Sequence, residues 1–331
     1  MFLLLKFVVK RILWLIPVLL GVSLLIFTIM YFAPGDPARQ ILGDGATVEA
    51  IAEKREELGL NDPFLVQYGR YMYNLVFHGD LGTSYATSTP VSDAIVQRYP
   101  NTLILASLAT LFMILIGIPL GIISALKQYS WMDKVCSVVG MVGVSMPTFW
   151  LGLLLIMVFA LNLRVLPASG FYGPRYWILP AFSIGFCSAA GLMRVTRSSM
   201  LEVVRQDYIR TARAKGQKEG VIIRHHMLRN AMIPILTNIG LQFGILLAGS
   251  MVTETIFAVP GIGKYLIDSV NGRDYPAAQS AVLVVSASYC LVNLLVDVLY
   301  AFIDPRIKSQ YQGSSKKKAK KGVEANGTAE E

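Results

Sequence analysis

Six long stretches of the chain carry no charged residue, and polar segments separate them. The six stretches are residues 12–32, 101–126, 135–161, 176–193, 230–253 and 275–296. A helix needs about 20 predominantly apolar residues to cross a bilayer. The pattern therefore predicts an all-α, polytopic membrane protein with six transmembrane helices.

The composition supports a membrane protein and argues against a nucleic-acid partner. Of the 331 residues, 54% are hydrophobic and 15% are charged, which is too apolar for an ordinary soluble domain. The net charge is +9, but the basic residues lie at the ends of apolar stretches and in one C-terminal tail. That placement favours anionic lipid and a protein partner over nucleic acid.

The charges of the polar segments indicate which side of the membrane each one faces. Residues 1–11 are basic, so we expect them in the cytoplasm, followed by a first transmembrane helix at 12–32. Acidic residues outnumber basic ones in 33–100, which predicts an external segment. Arg164 and Arg175 would also lie outside, against the trend, but the whole chain favours both termini in the cytoplasm.

The external segment should form helices of its own. Apolar spacing predicts one helix over 48–58 that stops at Gly59. Asp62 and Pro63 are typical of a helix start, and that helix should run to about Phe77. Asn101 is predicted to cap the second transmembrane helix. Three aspartates of this segment are interpreted as turn and cap residues, with ligand binding as the alternative: Asp36, Asp62 and Asp80.

The loop at 194–229, between the fourth and fifth apolar stretches, contains nine basic and only three acidic residues. A charged residue at the centre of a membrane helix costs roughly 2.5–3.5 kcal/mol even on the lenient insertion scale. We therefore expect this loop outside the bilayer, on the cytoplasmic side.

A motif inside this loop carries a resemblance to a known family. DYIRTARAKG at 207–216, followed nine residues later by HMLRNAMIP, resembles the cytoplasmic loop of ABC importer permeases, in the dipeptide/oligopeptide variant (B-type subunit). Gly216 matches the glycine of that loop, and Ala212 matches its second alanine. Arg210 and Thr211 depart from the general motif in the way that the peptide subgroup does. The alternative is a basic loop that only sets orientation.

In that family the loop is a short coupling helix that docks in a groove of a separate ATPase subunit. The resemblance places ATPase coupling on Arg210, Thr211, Ala212, Arg213, Ala214, Lys215, Gly216, Glu219, Ile222 and Ile223. Among these, we expect Glu219, Ile222 and Ile223 on the docking face, with Arg213 and Lys215 supporting the turn.

The segment 253–279 contains GIGK, yet it does not form a nucleotide-binding loop. A phosphate-binding loop needs a further glycine and a Ser or Thr after the lysine, and Ala258 and Tyr265 occupy those positions. The segment instead resembles the last external loop of the same family, which implies a gate at the outer mouth. Its gate residues are predicted to be Glu254, Phe257, Pro260, Gly261, Arg273 and Asp274.

Few polar residues within the apolar stretches could line a transport path. They are Ser145, Asn238, Gln242 and Asn293, and hydrogen bonding between helices is the alternative role. We find no catalytic constellation, no metal-ligand spacing and no cofactor motif, so we expect neither enzyme activity nor a bound metal. ATP and Mg²⁺ would be bound by separate ATPase subunits.

The resemblance spans almost the whole chain. It implies a fold of the type I ABC importer kind, with a five-helix permease core at 101–306 and a disordered cytoplasmic tail at 307–331. The expected assembly is a heterodimer with a sister permease, two ATPases and an external substrate-binding protein, in the bacterial inner membrane. The cargo would be a dipeptide or oligopeptide, with a nickel chelate left open. A stand-alone secondary transporter is disfavoured because the apolar stretches hold no mid-membrane charge.

Overall fold

The computed structural model describes residues 2–33, 35–43 and 45–303, and these contain helices but no β-strand. The predicted tail at 307–331 lies outside the described residues. The helices are α1 (Phe2–Phe32), α2 (Pro37–Leu42), α3 (Val48–Glu57), α4 (Phe64–Tyr73), α5 (Val91–Leu126), α6 (Trp131–Ser145), α7 (Thr148–Leu155), α8 (Pro174–Val204), α9 (Asp207–Ala214), α10 (Glu219–Val221), α11 (Arg229–Gly249), α12 (Met251–Ile256), α13 (Ile262–Asn271) and α14 (Tyr275–Ile303). Wider π-helical turns extend α4 over Asn74–His78, α7 over Ile156–Asn162 and α10 over Ile222–Leu228.

The helical transmembrane architecture is confirmed, with one difference in the third span. Five described helical stretches are long and apolar enough to cross a membrane, and α6 with α7 counts as a sixth if this bent pair forms one span. The predicted single helix at 135–161 is wrong, because α6 and α7 meet at an angle of 101°. Pro147 follows the break, and a residue before proline is disfavoured in the helical region, so Met146 takes an extended conformation.

The second transmembrane helix begins ten residues earlier than predicted. Asn101 does not cap it; it lies inside α5, which starts at Val91, and its Nδ2 donates to the carbonyl of Pro260 at 2.9 Å. Val91 and Ile95 are buried one helical turn apart and continue the apolar face of the helix. The charged Asp93 lies between them, so this first part of α5 is expected outside the bilayer. A search for uncharged stretches therefore misses it.

The fourth transmembrane helix also extends beyond its uncharged stretch. α8 continues past residue 193 through Arg194 and Arg197 and ends at Val204, so the predicted loop at 194–229 begins as helix. The basic residues of its last turns therefore stand on a rigid extension of the span.

The helices α5 and α8 pack closely against each other, and small residues make that approach possible. A Cβ added to Gly117 would lie 2.8 Å from the carbonyl oxygen of Ala189. One added to Gly121 would lie 2.5 Å from the Cβ of Thr196. Glycine is required at both positions because the helix backbones leave no room for a side chain.

The two helices predicted between residues 33 and 90 are both present, although one predicted cap is not. The predicted helix over 48–58 is present as α3, and Gly59 follows it in the left-handed region, at φ +64°. Asp36 caps α2, accepting from the Ala38 amide at 3.1 Å. Asp62 does not cap α4; its carboxylate binds Arg70 instead.

Candidate functional site

The predicted coupling motif forms a short amphipathic helix, α9. Its inner face holds Ile209 and Ala212, which are three residues apart and both buried. Its outer face exposes Arg210, Thr211 and Arg213 to the surroundings. One face of α9 is thus anchored to the protein, and the other is free to contact a partner.

A tight turn after α9 depends on Gly216. This residue lies in the left-handed region at φ +73°, where a side chain is strained, although a Cβ there would meet no atom within 4 Å. An ion pair crosses the turn, with Arg213 Nε 2.7 Å from Glu219 Oε1. The hydrogen bond to the Glu219 carboxylate raises the pKa of Arg213 above its usual value. Ala214 and Lys215 are exposed beside the turn.

The return from the turn is anchored in the protein interior. Ile222 is fully buried, so its predicted place on the docking face is wrong; Ile223 is half-buried and Glu219 is exposed. The π-helical turn over Ile222–Leu228 directs Ile222 and Met227 inward. We call the apolar group that holds both sides of the loop the inner cluster: Met113, Ala125, Ala189, Leu192, Met200, Ile209, Ala212, Ile222, Met227, Ala231 and Ile235.

A polar network joins α5, α6 and α8 near the loop that contains α9. Arg197 Nη2 lies 3.0 Å from Asp133 Oδ2, and its Nε donates to Ser124 Oγ at 2.9 Å. The Tyr129 amide also donates to Asp133, at 2.9 Å. Sequence reasoning missed this network; the available signal was Ser130 three residues before Asp133, which is typical of a helix start.

The predicted external gate loop is organised around one fully buried carboxylate. Glu254 accepts hydrogen bonds from Thr102 Oγ1 at 2.8 Å, from Ser250 Oγ at 2.9 Å and from the Lys264 amide at 2.9 Å. The amide of Ile262 donates to Thr102 in turn, at 2.9 Å. Glu254 therefore ties the loop to Thr102, in the first half of α5.

Phe257 fixes the same loop to the bent helix pair. Its side chain is 2% exposed, and a Cβ on Gly152 of α7 would lie 3.0 Å from its ring. The Phe257 carbonyl accepts from the Gly170 amide at 2.7 Å. Pro260 lies in the turn that precedes α13, and its carbonyl accepts the Asn101 hydrogen bond described above.

Asp274 joins the outer loop to the external segment. Its buried carboxylate accepts from Ser84 Oγ and from the amides of Tyr85 and Ala86, at 3.1 and 3.3 Å. The neighbouring Arg273 packs over Gly35, where an added Cβ would lie 2.8 Å from its Cδ. Asp274 therefore joins the start of α14 to residues 84–86, and Arg273 adds a contact to Gly35.

The four predicted path residues do not form one group. Asn238 of α11 and Asn293 of α14 are half-buried, and the Oδ1 atom of each is buried without a hydrogen-bond partner. Gln242 is half-buried one turn after Asn238, whereas Ser145 is exposed at the end of α6. Gly240 and Gly244 bring α11 close to α14, so both asparagines lie near a tight helix contact.

Comparison with known proteins identifies the family. Residues 117–309 match the model described as "Binding-protein-dependent transport system inner membrane component", and residues 4–106 match that of its N-terminal region. The chain belongs to this permease family.

Curated relatives of this permease family match along almost their whole length. The chain is 46% identical to the dipeptide transport system permease protein of Alkalihalophilus pseudofirmus, over 92% of this chain and 99% of that protein. It is 45% identical to the glutathione transport system permease protein of Salmonella paratyphi A, with the same coverage.

A solved methionine ABC transporter structure shares the fold of the permease. It covers 64% of this chain and 96% of its own, at 16% identity and a TM-score of 0.57. The fold is therefore that of the type I ABC importer permeases, as the coupling motif predicts, and the chain is the membrane permease subunit of such an importer. The family works with ATPase and substrate-binding partners.

Proposed function

We propose that this permease imports short peptides and that α9 is its coupling helix. Both relatives above are named for short peptide cargoes, a dipeptide and glutathione, and they match 92% of the chain. An external binding protein would deliver the peptide and set most of the selectivity.

The anchoring of α9 is the observation that carries the coupling proposal. Ile209 and Ala212 bury one face of α9 in the inner cluster, which also contains residues of α5, α8 and α11. Because a packed apolar core deforms little, displacement of α9 by a partner moves these spans with it. The exposed Arg210, Thr211 and Arg213 remain available to the ATPase groove.

The energy for transport comes from separate subunits in this proposal. The permease itself binds neither ATP nor Mg²⁺; two ATPases do so and close on each other. Because this chain offers one coupling helix and the ATPases act as a pair, it works as a heterodimer with a sister permease. Both termini lie in the cytoplasm of a bacterial inner membrane, in accordance with the basic loops.

The unpartnered amide oxygens of Asn238 and Asn293, together with Gln242, form the polar part of the path in this proposal. An unsatisfied acceptor in a transmembrane helix is costly, so an occupant that donates hydrogen bonds is favoured there. In this proposal Ser145 lies on the path apart from that group, at the break between α6 and α7. The loop built on Glu254, Phe257, Pro260, Gly261, Arg273 and Asp274 closes the outer mouth.

The test is uptake in vesicles that contain both permeases and both ATPases, with the binding protein outside. We expect ATP-dependent uptake of labelled dipeptides, and one copy of this chain per two ATPases. Gly216→Trp should leave insertion and assembly intact but abolish uptake and ligand-stimulated ATP hydrolysis. Normal uptake by an assembled Gly216→Trp complex would refute the coupling role, and transport of no short peptide would refute the cargo.

A further inference from the structure

The external face of the protein contains a cavity of about 450 Å³ that the proposed transport cycle does not use. It lies where the external end of α1, the segment 35–85 and the start of α14 meet. Its size falls within the range of about 300–1,000 Å³ that is usual for small-molecule sites.

Aromatic side chains from all three parts form the walls of this external cavity. Phe27 of α1 stacks on Tyr71 of α4 at 5.8 Å between ring centroids, and Tyr85 lies 6.4 Å from Tyr275 of α14. Burial raises the pKa of Tyr71 to about 12, and burial with the nearby Asp274 carboxylate does the same for Tyr85. Both phenols are therefore neutral hydrogen-bond donors at physiological pH.

Several polar groups at the cavity have no partner among the described residues. Gln279 is 8% exposed, and its side-chain amide makes no hydrogen bond to them. The Tyr71 hydroxyl is buried without a partner. The half-buried side chain of Asn74 is likewise unpaired. The Tyr71 hydroxyl is thus a buried polar group left unsatisfied, which is rare, and the two amides line the same open cavity, so all three are available to a ligand there.

The charges around the cavity have both signs. Asp80 uses one carboxylate oxygen for the Gly82 amide at 2.8 Å, which leaves the other for a cation. Arg55 donates to Asp36 at 3.0 Å and to Asn61 at 3.3 Å, and a guanidinium has five N–H groups, so donors remain for an anion. A ligand that carries one ammonium and one carboxylate matches this balance.

We propose that the external cavity binds short zwitterionic peptides of two or three residues directly, without the binding protein. Its amides and phenols would bond to the peptide group, the aromatic walls would contact the side chains, and Asp80 and Arg55 would face the two termini. The claim that such a ligand is also cargo rests on the proposed function. The same charge pattern occurs in an ethanolamine lipid headgroup, so the test must separate the two.

The experiment is calorimetric titration of the complete importer, without its binding protein, in nanodiscs of phosphatidylglycerol. The probes are Ala-Ala, its acetylated and amidated form, and phosphoethanolamine as the headgroup analogue. We expect Ala-Ala to bind, the doubly capped form to bind at least tenfold more weakly, and phosphoethanolamine not to compete. Binding of phosphoethanolamine but not of Ala-Ala would overturn the proposal.

Two variants locate the site, and a third is the control. Tyr71→Phe and Gln279→Met each remove a group that would form a hydrogen bond to the peptide, with little change of side-chain volume. Each should weaken Ala-Ala binding about 2- to 10-fold. Tyr73→Phe removes the hydroxyl of an exposed tyrosine on the same helix that does not line the cavity, and it should leave binding unchanged. If all three variants bound Ala-Ala as tightly as the unaltered importer and melted at the same temperature, the peptide would bind elsewhere.

A parallel uptake assay separates this inference from the proposed function. Peptide uptake with the binding protein present, but no direct Ala-Ala binding, overturns the external site alone. If the complete system transports no short peptide, the cargo assignment fails, whereas direct Ala-Ala binding that is sensitive to Tyr71→Phe still supports the site.

Discussion

The carboxylate of Glu254 fills the space that a side chain on Gly261 would need. A Cβ added to Gly261 would lie 2.4 Å from the Cδ and Oε2 atoms of Glu254. The carboxylate cannot withdraw freely, because three hydrogen-bond donors hold it in place. Glycine at position 261 is therefore a condition for the buried carboxylate.

Gly261→Ala should destabilise the permease by about 1–3 kcal/mol, because the added methyl group displaces Glu254 from its donors. The measurement is the melting temperature of the purified complex. Gly69→Ala is the control: an added Cβ there meets no atom within 4 Å, and alanine favours the helix. Equal melting temperatures for the two variants would contradict the role assigned to Glu254.

Removal of one partner of the Arg197–Asp133 pair should cost roughly 2–5 kcal/mol, because the remaining charge is left without its counterion. Arg197→Gln should cost more than Asp133→Asn, since the side chain of Asp133 is 8% exposed and that of Arg197 is 30% exposed. The double variant should cost less than the sum of both. Stability measured by denaturant titration in detergent tests this, and strictly additive losses would show that the two groups are not coupled.

Gly216→Val and Gly216→Asn should differ strongly in transport. Valine is strained at φ +73° by about 1–2 kcal/mol, whereas asparagine tolerates this region. The valine variant should insert normally but lose most ATP-driven uptake, and the asparagine variant should retain most of it. If both variants lost uptake equally, contact with the ATPase rather than backbone conformation would explain the glycine.

Single cysteines should report the proposed orientation once Cys136, Cys187 and Cys290 have been replaced. A membrane-impermeant thiol reagent should label Glu53→Cys from the external side and Lys215→Cys only after the membrane is opened. Both positions are exposed, so accessibility does not limit the reaction. Labelling of Glu53→Cys from the cytoplasmic side alone would reverse the topology.

The sequence predicted the elements whose signal is local. Uncharged stretches located the spans, and Gly59 marked the end of α3 because a left-handed residue there favours glycine. Gly216 was identified from the loop motif, and it too occupies the left-handed region, in the turn after α9. For the coupling segment, the motif predicted a short helix, and burial of Ile209 and Ala212 supplies the reason for its orientation.

Features that depend on distant contacts were beyond sequence reasoning. The burial of Ile222 follows from a π-helical turn and the inner cluster, neither of which has a local pattern. The start of α5 at Val91 depends on packing against α13 and α14. The partners of Glu254, Thr102 among them, lie up to 152 residues away in the chain, so its role could not be read from neighbouring residues.

The length of α8 suits it to act as a lever in the proposed coupling. Its 31 residues extend about 46 Å at 1.5 Å per residue, well beyond a hydrocarbon core of about 30 Å. A tilt of about 10° around its midpoint would carry each end roughly 4 Å in opposite directions. If α9 is the coupling helix, as proposed above, a displacement of the Val204 end next to α9 moves the Pro174 end in the opposite direction, on the far side of the bilayer.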